Sequence, residues 1–117
     1  FGPGRVVLIS DTMRAAGMTD GAYDLGGQEV TVKGPLATLA DGTIAGSVTD
    51  LMACMKTAVS FGIPLADAVR SAAVSPAQAI GIFDRVGSLD SGKRANVVVL
   101  DKELDVKAVF FKGAQVV

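Results

Sequence analysis

The stretch "VVLISDTM", Val6 to Met13, runs four apolar residues, three of them β-branched, into a serine and then a carboxylate. Such a run reads as a buried strand that delivers Asp11 at its C-terminal end, where parallel α/β enzymes gather their reacting groups. A carboxylate so placed can work as a general acid or base. An aspartate after a strand is equally a turn former or a helix cap, and the neighbouring residues leave both readings open. The second candidate is "IAGS", Ile44 to Ser47, a small-residue junction just ahead of a helical pattern. Unobstructed backbone N–H groups near a helix start can meet an anionic or hydrogen-bonding ligand. The plainer reading is a tight helix entry capped by Ser47 or Thr49.

A third stretch, "GSLDSGKR" from Gly87 to Arg94, satisfies the first seven positions of the phosphate-cradling loop G-x-x-x-x-G-K. Arg94 stands where a Ser or Thr hydroxyl should hold magnesium, Asp90 brings negative charge into the loop, and a strand pattern follows the lysine instead of a helix. Without that helix the positive terminus that binds phosphate is missing, so the stretch reads as a turn before a strand. Asp20, Asp24, Asp41, Asp84 and Asp105 border glycines or turns and read as loop-solvating groups.

The elements that must carry these residues follow from periodicity. After the first apolar run come three short β-type segments, Ala22 to Leu25, Gln28 to Lys33 and Leu36 to Ala40, separated by Gly26-Gly27 and Gly34-Pro35. Turn chemistry of that kind predicts an antiparallel meander. Leu51, Met52, Met55, Ala58 and Val59 then recur at helical spacing, and Gly62 supplies a stop. A second helix is expected from Pro64, with Leu65, Ala68, Val69, Ala72 and Ala73 on one face. A third is expected at Ser75, with that serine as cap, Pro76 at the first helical position, Gln78 completing a capping box and Gly81 at the end. Two further strands, Ala95 to Leu100 and Val106 to Phe111, lead through a Lys112-Gly113 turn to "AQVV".

Composition bounds the rest. The 117 residues are half hydrophobic and one-fifth charged with a net charge of −1, a globular balance with no basic excess to attract nucleic acid. No apolar run approaches the ~20 residues of a membrane-spanning helix, and no secretory signal pattern is present. Cys54 is the lone cysteine, read as a buried thiol in a reducing cytoplasm. There is no histidine, so the commonest metal ligand and the commonest neutral-pH base are both absent. The chain opens at Phe1 without an initiator methionine and enters a buried-type strand almost at once, as a segment of a longer polypeptide does.

Taken in order, "LISDTMRAAGMTDGAYDLGG", "LADGTIAGS", "AVRSAAVSPAQAIGI", "RVGSLDSGKRANVVVLD" and "VKAVFFKGAQVV" resemble the C-terminal part of the N-acetylglucosamine-6-phosphate deacetylases of the amidohydrolase superfamily. The resemblance runs from about Arg5 to Val117. Its most specific parts are the strand-to-Asp motif with the following Ala-Ala-Gly and the run Asp-Gly-Thr-Ile-Ala-Gly-Ser. The Gly-Lys-x-Ala segment before a strand is shared more widely in the superfamily.

The resemblance implies an α/β fold, the C-terminal fragment of a metal-dependent (β/α)₈ barrel plus the C-terminal strands of its small β-sandwich domain. Residues 1–85 would hold the last barrel strand, the meander insertion and the closing helices, and residues 86–117 the share of the β-domain. It implies hydrolysis of N-acetylglucosamine 6-phosphate to glucosamine 6-phosphate and acetate by the complete enzyme, with a non-catalytic fragment or α/β module as the alternative. Asp11 would be the catalytic carboxylate beside the metal, taking a proton from the attacking water and returning it to the departing nitrogen. Ile44, Ala45 and Gly46 match the short segment that contacts the sugar phosphate. A divalent metal, zinc or iron, would be bound mainly by residues outside this chain, which alone would be inactive. The partners implied are the substrate, the rest of the barrel and a second subunit of a homodimer, with neither nucleic acid nor membrane, in the cytoplasm. Thr12 and Asn96 depart from the family pattern, which more often has Ala and Asp there.

Overall fold

Alternation along "QEVTVK" puts Val30 and Val32 on one side of a strand and Thr31 and Lys33 on the other, and that single strand organises half of the chain. The computed structural model describes residues 1–117. They form two compact units, one of residues 9–57 and the other of residues 1–8 together with 58–117. The fold is mixed α/β.

In the first unit β1 (Gly21–Leu25), β2 (Gln28–Lys33), β3 (Leu36–Thr38) and β4 (Ile44–Ser47) make an antiparallel sheet in sequence order, the expected meander with one more strand. Leu25 pairs with Gln28 across Gly26-Gly27, and both glycines adopt the positive φ that a two-residue hairpin demands, 64° and 86°. One face of the sheet packs on Met13 and Ala15. Together with Val30, Val32 and Ala37 these make the buried core, ringed by Tyr23, Leu25, Leu39, Ala45 and Val48. Val30 is fully buried, and sequestering a valine side chain contributes about 2 kcal/mol.

The segment Val6 to Ser10 departs from the expected buried strand. It has no ladder partner among these residues, and Val6, Val7 and Ile9 are exposed. Leu8 is tied only through its N–H, which donates to the Ser71 carbonyl at 2.9 Å. A β-branched run encodes a preference for extended, buried backbone, but a strand exists only where a second one pairs with it.

Helix α1 (Leu51–Ser60) ends as expected. Gly62 has φ 92°, and the Ile63 N–H reaches back to the Ala58 carbonyl at 3.1 Å. The second and third expected helices are one continuous helical path: α2 (Leu65–Val69), a π turn (Arg70–Val74) and α3 (Ser75–Ala79). Ser75 is therefore no cap. Val74 and Ser75 both have right-handed helical backbone, and Ser75 is buried with its hydroxyl unpartnered. The cause is Pro76, which has no N–H to offer the preceding turn and whose ring crowds it. Widening to a π turn, with the Ser75 N–H on the Arg70 carbonyl, lets the path continue through the proline.

The same unit contains an antiparallel sheet of β5 (Val97–Leu100), β6 (Val106–Phe111) and β7 (Ala114–Gln115). The Lys112-Gly113 turn is as expected, and Lys112 tolerates φ 52° because its N–H is held by Asn96 Oδ1 at 3.0 Å. In the Gly87–Arg94 loop the Lys93 ammonium is consumed internally. It lies 3.3 Å from the Phe83 ring centroid, 2.7 Å from Ser88 Oγ and 3.3 Å from Asp90 Oδ2, so it is not free for a phosphate. Hydrogen bonds from Ser88 and Lys93 hold the Asp90 carboxyl below its ordinary range.

Two predictions follow from this packing. A Cβ on Gly87 would lie 2.7 Å from Ala77 Cβ and 3.0 Å from the Ala73 carbonyl, at φ 94°. Gly87→Ala should therefore destabilise the protein by about 3 kcal/mol, read from the denaturant midpoint. Asp101 is held below the usual carboxylate range, first by its hydrogen bond from Lys107 at 2.8 Å and then by the Asp105 N–H, and the pairing raises Lys107 in turn. Because the folded carboxyl is the more acidic, its stabilisation is present above the unfolded value and is lost as pH falls through the folded one, below about pH 4. Thermal unfolding of Asp101→Asn should accordingly show a weaker loss of melting temperature across that acid range than the parent.

Candidate functional site

Asp11 lies in the first unit, exposed, with φ 51°, a left-handed conformation that aspartate adopts more readily than most residues but that still needs support. The support comes from β4. Ser47 donates its N–H to the Asp11 carbonyl at 3.1 Å and accepts the Met13 N–H at 2.8 Å. These bonds form a parallel bridge centred on Thr12 and Ser47, so the Asp11–Met13 segment lies along the outer edge of β4.

That bridge brings the two sequence-predicted parts of the site together. Gly46 sits against the same segment: a Cβ built on it would be 3.6 Å from Met13 Cβ and 3.9 Å from the Asp11 carbonyl oxygen. Ile44 is exposed, and Ala45 and Gly46 are half-buried. The three are strand, not the helix-entry junction that small residues suggested. They nonetheless break the ladder. Ala37 pairs with Gly46 and Thr38 with Ile44, which leaves Ala45 outside the register as a bulge. Bulges bend a strand and free backbone groups from pairing, an arrangement suited to meeting a ligand.

The helix that follows is capped by Asp50, whose Oδ1 accepts the Ala53 N–H at 2.7 Å, and not by Ser47 or Thr49. Ser47 Oγ instead accepts the Thr49 N–H at 3.1 Å and shapes the connection from β4 to α1. Asp50 was visible as the last capping-type residue before the periodic run beginning at Leu51. The importance of Ser47 was not, because its partners are backbone groups distant in sequence.

A cleft of about 620 Å³ in this unit is walled by Ser10, Thr12, Gly17, Gly34, Thr49 and Asp50 among others. Neither Asp11 nor Ile44–Gly46 lines it, so the carboxylate and this cleft are separate features. A smaller, apolar cleft of about 290 Å³ in the other unit holds one titratable side chain, Asp67. No group of three or more His, Cys, Asp or Glu side chains converges to hold a metal ion. No helix is long and apolar enough to cross a membrane.

Residues 9–116 match the Amidohydrolase family. The chain is 42% identical over 110 residues to N-acetylgalactosamine-6-phosphate deacetylase of Escherichia coli O157:H7, a match covering 93% of this chain and 29% of that protein. It is 37% identical over 113 residues to N-acetylglucosamine-6-phosphate deacetylase of Bacillus subtilis strain 168, covering 96% of this chain and 28% of the relative. Among solved structures, the D267A mutant of N-acetyl-D-glucosamine-6-phosphate deacetylase from Mycobacterium smegmatis, in complex with N-acetyl-D-glucosamine-6-phosphate, superposes with a TM-score of 0.90 at 42% identity, over 99% of this chain and 32% of that one. The chain spans from 27% to 66% of the length of the curated relatives it matches.

Gly46→Ala tests the bridge directly. At φ 143° the alanine is strained by about 1 to 2 kcal/mol. Its methyl would meet Met13 at ordinary contact distance, so the strain is that of the backbone. The expected outcome is faster hydrogen exchange at the Met13 and Ser47 amides, with little change in the β1–β2 hairpin.

Proposed function

Since the chain belongs to the Amidohydrolase family, matched over residues 9–116, we propose that it forms part of a hydrolase that removes acetate from an N-acetyl amino-sugar 6-phosphate, turning N-acetylglucosamine 6-phosphate into glucosamine 6-phosphate and acetate. The observation that carries the proposal is the Thr12–Ser47 bridge, which sets a carboxylate on left-handed backbone beside the bulged strand Ile44–Gly46. Relatives and structural neighbours that are amino-sugar phosphate deacetylases, for both the gluco and the galacto sugar, support the same reading.

In this reading Asp11 is the acid–base group. Its carboxylate takes a proton from the water that attacks the acetamide carbonyl, and the new C–O bond gives a tetrahedral carbon. As the C–N bond breaks, the same group returns the proton to the nitrogen, so the amine leaves neutral and acetic acid remains, which loses its proton to water as acetate. Ile44, Ala45 and Gly46 orient the sugar phosphate through backbone that the bulge withholds from the ladder. The fold belongs to a (β/α)₈ barrel with a small β-sandwich domain, residues 1–85 in the barrel and 86–117 in the β-domain.

The divalent zinc or iron that the family implies finds no ligand set here, because the chain has no histidine and no convergent acidic or thiol cluster. Its ligands would come from the part of the relatives' length that this chain does not span, and by themselves these residues are inactive. The rest of the barrel and a homodimer partner complete the proposed assembly, in the cytoplasm.

Asp11→Asn, made in the intact protein and assayed by acetate release from both C4 epimers of the substrate, should cut turnover about 10²-fold or more while leaving the unfolding midpoint near the parent's. Turnover close to the parent's on both sugars overturns the assignment.

A further inference from the structure

Thr12 is pinned on two sides. Its backbone lies in the bridge to Ser47, and its side-chain oxygen lies 2.7 Å from the Thr49 carbonyl and 2.6 Å from Ser10 Oγ. The Thr49 carbonyl can only accept, so the single Thr12 hydroxyl proton goes to it, and Thr12 in turn accepts the proton of Ser10. The chain Ser10 to Thr12 to Thr49 therefore fastens the residue after Asp11 to the connection that enters α1. Ser47 fastens the same peptide to β4. A non-glycine residue at φ 51° persists where its surroundings over-determine it, and here the surroundings are these hydroxyl and backbone bonds.

We propose that Thr12 is a positioning residue for the reaction: its hydroxyl clasp to Thr49 and Ser10 sets the direction in which Asp11 presents its carboxylate. The inference rests on the reading of Asp11 as the acid–base group. Thr12 itself does no chemistry. Its hydroxyl bonds are exposed, and removing them leaves the Thr49 carbonyl to water, so the fold loses little while the aim of the carboxylate loosens. Small displacements of a reacting group are costly to rate, up to about 10²-fold for an error near 1 Å. The effect belongs in kcat, because Thr12 is not among the residues proposed to hold the sugar.

The test compares Thr12→Val, Thr12→Ser, Asp11→Asn and the double variant Asp11→Asn/Thr12→Val in the intact enzyme. Thr12→Val keeps the shape and removes the hydroxyl; it should lower kcat about tenfold with KM within about twofold, and Thr12→Ser should recover most of the loss. If Thr12 acts through Asp11, the double variant is no slower than Asp11→Asn alone. A kcat for Thr12→Val within about twofold of the parent, beside a crippled Asp11→Asn, overturns the clasp and spares the acid–base reading. Losses that multiply in the double variant overturn it as well. Normal turnover in Asp11→Asn sinks the acid–base reading, and the clasp with it. Should Thr12→Val fail to fold, Thr12→Ala is read against the same criteria.

Discussion

The pair of backbone hydrogen bonds between Ser47 and the residues flanking Thr12 is the constraint on which the candidate site depends. Each such bond contributes only about 1 kcal/mol net, so their importance is geometric. They turn a segment without a ladder partner at Val6 to Ser10 into one aligned along β4, and they hold Asp11 in a left-handed conformation that a free loop would leave. They also favour glycine at position 46, because its φ of 143° is one that residues with a side chain rarely adopt, while the space toward Met13 and the Asp11 carbonyl would admit a methyl at ordinary contact distance. The carboxylate, the bulge at Ala45 and the core residue Met13 are thereby coupled through a few ångströms of backbone.

The second unit uses its polar groups to brace loops. Lys93, whose place in a Gly-Lys stretch suggests phosphate, instead spends its charge on a ring, a hydroxyl and a carboxylate within its own loop. Asp101 does the equivalent for the turn between β5 and β6, accepting the N–H groups of Glu103 and Asp105 while pairing with Lys107. Gly87 lets the loop after α3 press against Ala77 at a distance no side chain could share. These contacts give Lys93, Asp90, Asp101, Lys107 and Gly87 structural partners close to their own loops.

Local chemistry made much of the fold legible. The strands Gln28–Lys33 and Val106–Phe111 coincide with their sequence patterns, since alternation and flanking glycines specify both register and turns. The glycine stops at Gly62 and Gly81 were equally readable, because positive φ at a helix end is a local demand. The cap at Ser75 misled for a physical reason: a serine before a proline has the same local signature whether a helix starts there or passes through a π turn. The right-handed helical backbone at Val74 and Ser75 separates the two.

The candidate site divides along the same line. The sequence by itself determined which groups were available: a carboxylate after a β-branched run, a small-residue segment before a helix, and no histidine with which to build a metal site. It carried no information that Ser47 would reach Asp11 and Met13, that Thr12 would meet Thr49 thirty-seven positions away, or that Ala45 would leave the ladder. Those pairings form between backbone and hydroxyl groups that nearly every residue or many residues possess, so residue type does not mark them. Tertiary structure alone decided them, because it sets which of many equivalent donors and acceptors come within hydrogen-bonding distance.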